Sequence, residues 1–302
     1  MYGHSIESNK ISMVYYGIYS NDKPVSIVMI LLRKIALFGH VARINRGPLV
    51  LSDVNTLDHN RISIDTIKLI IQKCKQKRWW MLQIAPELPF EQGLIKELNK
   101  NGLKKLSVIP WASVLLRLDG SLEEVLMSFK SRWRRGLRKG MKQDISISLL
   151  KNTRKNINDF IEHYKEFKSE KNFDGLSLAL IKKMCFQESN IHWAFNIFQA
   201  YNRNSDGTKN ILGYLSSVRY GNTAIYLIGT RADLGKKLNT NYVLMWEAII
   251  EAHKSGCKWF DVGGLNENTT KGIVQFKSGL NGQPYRLIGE WRAYIFPSLK
   301  FM

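Results

Sequence analysis

Residues Gly256 to Gly282 read GCKWFDVGGLNENTTKGIVQFKSGLNG, and the fold is decided by how this stretch is divided. Lys258 to Val262 has the make-up of a short buried strand, and Gly256 just before it stops whatever helix precedes. Gly263, Gly264, Asn266, Asn268 and two threonines then form a loop of little bulk, rich in backbone N–H groups. Upstream, Asn241 to Ser255 predicts an amphipathic helix: Val243, Leu244, Trp246, Ile249 and Ile250 recur at helical spacing, with Glu247, Glu251 and Lys254 between them. A helix, a strand, a Gly/Asn loop and the Phe276-Lys277 pair in quick succession make a ligand pocket rather than a surface connection.

Working outward, Ile191 to Tyr201, Ile211 to Tyr220 and Thr223 to Gly229 read as a strand meander with turns at Asn204–Gly207 and Tyr220–Asn222. Before them lie a helix over Ile157 to Lys168, which carries His163 and Tyr164, and a strand over Ile145 to Leu149. Ser121 is a natural N-cap, and Glu123 and Glu124 suit the first turn of a helix. That helix is expected to run on into Lys130–Lys142, the densest cationic segment of the chain, in which Arg134, Leu137, Arg138 and Met141 share a face and Trp133 offers an aromatic plane. Two functions stay open for it: a phosphate-binding helix, or a solvated basic face joining two domains. The first half predicts strands over Met13–Tyr19 and Pro24–Arg33, a strand pair around Phe38-Gly39-His40, a helix over Asp65–Lys77, a strand over Trp80–Ile84, a helix over Glu91–Asn101 and a strand over Val114–Leu118. This is an α/β sandwich order, and the second half repeats its plan. The expected division is residues 1–118 and 119–302.

At 302 residues the chain can bury a sizeable core, and 44% apolar with 23% charged residues is globular composition. Its 45 basic against 25 acidic residues give +20, a field that gathers polyanions. Cys74, Cys185 and Cys257 lack any C-x-x-C or His spacing, so neither a disulfide framework nor a metal site is indicated, and a reducing cytoplasmic home fits. The first residues lack a signal pattern. The apolar run Val25–Leu32 is too short to span a bilayer, so contact with an anionic membrane would be peripheral. No G-x-S-x-G elbow and no phosphate-binding G-x-x-x-x-G-K-[ST] order is present.

Three segments, Arg134–Ile145 (RRGLRKGMKQDI), Asn241–Gly264 (NYVLMWEAIIEAHKSGCKWFDVGG) and Gly272–Gly289 (GIVQFKSGLNGQPYRLIG), resemble the FemABX family of peptidoglycan bridge-forming aminoacyltransferases. Arg46-Gly47-Pro48 and Ile84-Ala85-Pro86-Glu87 look like that family's first-half turns. The resemblance implies two tandem GNAT-like acyltransferase domains, each a mixed twisted sheet flanked by helices. It also implies transfer of an amino acid from aminoacyl-tRNA to an amine on the stem peptide of a nucleotide- or lipid-linked muropeptide, at or near the inner face of the membrane, with no cofactor, no metal and no DNA partner. It departs at Ala85, where the family often has Asp, and Ser177–Ile191 is too short for the helical arm of some members.

By the same resemblance Lys277 is a fixed cation beside the forming oxyanion or the tRNA terminus, with Phe276 packing at the same spot. Asp261 either orients the Gly263-Gly264 loop, acts as a base, or satisfies backbone N–H groups. Tyr226 is either a substrate-contacting tyrosine or a half-buried strand aromatic. Tyr164 and Lys171 are candidates for acceptor phosphates, Gly263, Gly264 and Asn266 for substrate contact, and Arg134, Arg135, Arg138, Lys139 and Lys142 for tRNA phosphates. Two other functions stand beside this one. The first is an acyl-CoA-dependent N-acyltransferase, of whose pyrophosphate loop Arg231–Lys237 is a loose echo. The second is a non-catalytic RNA-binding protein using the Trp133 segment.

Overall fold

A computed structural model describes residues 11–36, 39–51, 56–172 and 175–295. The first unit comprises residues 1–112 and 285–302. In it β1 (Ile11–Ser20) and β2 (Lys23–Ile35) form a hairpin whose two-residue turn, Asn21-Asp22, has positive φ at both positions, the geometry that matches strand twist. β3 (Gly39–Asn45), the short β4 (Leu49–Val50), α1 (Thr56–Gln76), β5 (Met81–Ala85), α2 (Gln92–Lys100) and β6 (Lys104–Lys105) follow. Among the described residues the sheet runs β1-β2-β3-β5-β14-β6, with β4 on β2 and with β14 at Trp291–Tyr294. Strand alternation turns Val28, Ile30, Ala42, Ile44, Leu82, Ile84 and Trp291 into one core with Ile64, Ile67 and Ile71 of α1. Phe38, expected in a turn, lies outside the described residues.

The second unit is Ser113–Pro284. Its elements are β7 (Ala112–Arg117, which begins at the boundary), α3 (Leu122–Ser128), α4 (Ser131–Met141), β8 (Ser146–Leu150), α5 (Arg154–Lys171), α6 (Leu178–Cys185), β9 (Trp193–Arg203), β10 (Lys209–Tyr220), β11 (Thr223–Arg231), α7 (Asp233–Lys237), α8 (Thr240–Lys254), β12 (Trp259–Asp261), α9 (Lys271–Ser278) and β13 (Gln283–Arg286). The sheet order is β13-β7-β12-β11-β10-β9-β8. Both faces are covered: Phe129, Trp133 and Leu137 with the inner residues of α8 on one side, and Phe160, Tyr164 and Ile181 with Phe195 and Tyr214 on the other.

The two sheets share one plan, and each contains a strand from the other half of the chain. β14 hydrogen-bonds to both β5 and β6 in the first unit, while β7, which follows the first unit's segment, pairs with β12 in the second. The observed units therefore differ from a division after Leu118. Residues 285–302 group with the first unit because β14 is an inner strand of its sheet and Trp291 is fully buried in its core. A second difference concerns the helix expected to run from Ser121 into the basic segment. It breaks at Phe129, whose ψ of 150° is extended, and Arg134 Nη1 donates to the carbonyls of Met127 and Phe129 that the break leaves over. Among the described residues no helix is long and apolar enough to cross a membrane.

Candidate active site

β11 and β12 run parallel, and their pairing ends at Ile225↔Asp261 although β11 continues to Arg231. Past this point the two strands part. A bulge in the β10–β11 ladder lets Ser217 face Tyr226 and Ser216 face Ile228, passing over Leu227. The consequence is a change of side. Ala224 and Tyr226 face the α8 core, whereas Ile225, Leu227 and Ile228 pack in the opposite one. The Tyr226 hydroxyl lies where a Cβ on Gly229 would be, and its burial there pushes the phenol up to about 12, although the ring as a whole is only half-buried.

The loop after β12 is held from inside. Asp261, 4% exposed, takes a short hydrogen bond from Ser113 Oγ and accepts the Gly263 N–H at 2.9 Å on the same carboxylate oxygen. Ser113 Oγ also lies 3.0 Å from the Gly263 carbonyl oxygen. Of the roles open to Asp261, holding the loop is the one these bonds serve. They also occupy the Gly263 N–H, which is therefore not presented to a substrate. Gly263 has φ +72°, and a Cβ there would come within 2.6 Å of the Tyr226 carbonyl oxygen and 3.4 Å of Lys277 Nζ.

Lys277 is 6% exposed and lies on α9. Its Nζ donates to the Gly264 carbonyl at 3.2 Å and stands 4.6 Å from the centroid of the Tyr226 ring. An ammonium has three N–H bonds, so this geometry leaves one directed at neither group. Burial pushes Lys277 down to about 8, against the smaller upward pull of Asp261. Phe276 fixes the helix that carries it. The Phe276 ring lies 5.0 Å from Tyr242 and 6.2 Å from Trp133, which in turn lies 4.8 Å from Phe129. Gly136 and Gly279 make room for this cluster, since Cβ atoms there would come within 2.7 Å of Tyr242 and 2.8 Å of Trp133.

Trp133, read from sequence as an exposed aromatic plane, is thus a core residue at 2% exposure. Trp133, Leu137 and Gly140 are the inward face of α4, while Arg135, Arg138, Lys139 and Lys142 share the outward one. Arg134, half-buried, is engaged in capping and stands apart from these four. Tyr164 lies in the opposite core with its hydroxyl donating to the Leu176 carbonyl at 3.3 Å, away from the Lys277 group. Lys171 is exposed and pairs with Glu170; the charges of Asp233 and Arg231 act on it, and Arg231 also acts on Tyr226. Asn266 is half-buried in a turn closed by the Thr269 N–H. Gly235, the glycine of the CoA-loop echo, lies in α7 pressed on the Leu212 carbonyl. Ser113 carried no signal in the sequence, because only the β7–β12 register, with Leu115 opposite Asp261, brings it to the site.

The first unit supplies an internal comparison. β3 and β5 are its parallel pair, ending at Asn45↔Ala85, and α2 follows as α9 follows β12. The two helices begin alike, Gln92-Gly-Leu-Ile and Lys271-Gly-Ile-Val. At the seventh residue, however, α2 has the fully buried Leu98 where α9 has Lys277, and Ala85 ends the pairing where Asp261 does. At these two positions the second unit has an acid and an amine where the first has Ala85 and Leu98.

Residues 196–301 match the FemAB family model. No curated protein matches the chain. Among solved structures, that of FemX is 15% identical with a TM-score of 0.76, over 97% of this chain and 90% of that one. A tandem GNAT protein from the clavulanic acid biosynthesis pathway has 13% identity and a TM-score of 0.58, over 97% and 86%. L-PGS from Bacillus licheniformis has 12% and 0.53, over 94% and 85%. The fold is accordingly the tandem GNAT-like one, and the part of the chain that is similar to the FemAB family, residues 196–301, carries β11, β12 and Lys277.

Proposed function

We propose that the protein is an acyltransferase that moves an amino acid from aminoacyl-tRNA to an amine on the stem peptide of a peptidoglycan precursor. The observation that carries this reading is Lys277: a buried amine, mostly charged at neutral pH, with one N–H left after Gly264 and Tyr226 are served. In such a reaction the acceptor nitrogen bonds to the ester carbonyl carbon and a transient oxyanion forms. Collapse breaks the bond to the ribose oxygen, which takes up the proton the amine gives up. A preorganised ammonium in a dry site stabilises the oxyanion more than water does. The ester is already activated, so the reading asks for no bound cofactor. The outward Arg135, Arg138, Lys139 and Lys142 and the +20 charge suit a polyanionic donor and acceptor.

The test offers radiolabelled aminoacyl-tRNAs and acyl-CoAs in parallel to nucleotide-linked and lipid-linked muropeptides. Label should pass from tRNA to a muropeptide, and Lys277→Ala should lower kcat about 100-fold or more with tRNA binding kept. Transfer from acyl-CoA alone overturns the donor. Tight RNA binding with no transfer from any donor overturns the enzyme.

A further inference from the structure

Ser113 opens the part of β7 that belongs to the second unit, far in sequence from every other residue of the site, and is 2% exposed. Its hydroxyl, the Asp261 carboxylate and both polar backbone atoms of Gly263 form one buried knot. Nothing in the local sequence stiffens a Gly-Gly turn, and Gly263 sits at a positive φ from which the turn could relax in many directions. The knot removes that freedom. The next carbonyl along, that of Gly264, is the one that accepts from Lys277 Nζ, while Gly263 itself lies under the ammonium.

We propose that Ser113 is a positioning residue for Lys277, acting through Asp261 to hold the Gly263-Gly264 turn against the amine. Its function in turnover rests on the reading of Lys277 given above. The position of the amine does not. The titratable groups that face Lys277 are Asp261 on β12 and Tyr226 on β11; on the far side of α9, Phe276 meets the rings of Trp133 and Tyr242. Loosening the turn admits water to Nζ, and hydration favours the charged form.

Two readouts in Ser113→Ala and Ser113→Thr test this. Trace acetylation by acetic anhydride across a pH series, followed by peptide mass spectrometry, gives the midpoint at which Lys277 becomes reactive without recourse to turnover. In Ser113→Ala that midpoint should move up from about 8 toward that of an ordinary lysine. The kcat should drop about tenfold with KM within about twofold, and Ser113→Thr, which keeps a hydroxyl, should restore both. A Ser113→Ala protein with a lowered melting temperature and kcat but an unmoved midpoint would show a structural role only and overturn the proposal, as would unchanged values of both. Should the midpoint move while Lys277→Ala retains full turnover, the positioning role holds and the function assigned to Lys277 falls.

Discussion

Lys277 carries a charge where water is scarce, and this has a thermodynamic cost. Its amine titrates near 8 in the native protein against 10.5 for an ordinary lysine. Between those values the unfolded chain holds more protons, so native stability rises with pH across the window and the whole cost is borne below it. The difference corresponds to about 3 kcal/mol. Lys277→Met should therefore unfold with about 1–3 kcal/mol more free energy at pH 7, as function-relaxing substitutions do. The gain over the parent should shrink from pH about 8 to 10.5, as urea melts at several pH values would show. A loss of stability at pH 7 would refute the argument. At the neighbouring residue, Gly263→Ala should cost about 1–2 kcal/mol for its left-handed backbone and displace the amine, so kcat should drop with stability. Lys277 and its loop were singled out in the sequence through the resemblance carried by Gly272–Gly289 and the Gly263-Gly264 loop before it. Ser113 was not, since a serine at the start of a strand announces nothing until the strand's partner is known.

Between elements, α4 and α8 approach closely: Cβ atoms on Gly136 and Gly140 would come within 2.7 Å of Tyr242 and Val243. Gly136→Ala should destabilise the protein by about 1–3 kcal/mol by overpacking, and lower kcat because Tyr242 also braces Phe276. A thermal melt and a transfer assay on one sample check both. The same glycines explain a misreading. Hydrophobic spacing in Arg134–Met141 gives weight to Leu137 and Met141, but the inward face is Trp133, Leu137 and Gly140, and a glycine that permits contact leaves no hydrophobic trace. With that face inward, the outward cations can be tested as a group. Replacing Arg135, Arg138, Lys139 and Lys142 by serine should weaken tRNA binding and flatten the plot of log K against log salt by about 3, if each neutralises one phosphate. An unchanged slope would place the tRNA elsewhere.

Across the whole molecule, each sheet takes its completing strand from the other half of the chain. Local patterning predicted most strands of both units, including Met13–Tyr19, Pro24–Arg33 and the β9–β11 meander, because alternation and turn residues are local properties. The destination of β7 and β14 is a long-range property, and no periodicity encodes it. A chain ended after Pro284 should lose amide protection in β5, which gives up a hydrogen-bonded neighbour, and in the core around Trp291, while β10 keeps its protection. Hydrogen exchange of the shortened and parent proteins would decide it.

The exchange of strands also orders events during synthesis. The second unit is contiguous, so β7 to β12 can all be present once Ser113–Pro284 leaves the ribosome. The first unit, although translated earlier, waits with β5 lacking one neighbour until Trp291–Tyr294 emerges. At about 5–20 residues per second this is a delay of roughly ten seconds or more, during which Met81–Ala85, an apolar edge, is open to other chains. The half of the protein that is made first is thus the half that finishes last, and it depends longest on whatever shields nascent chains.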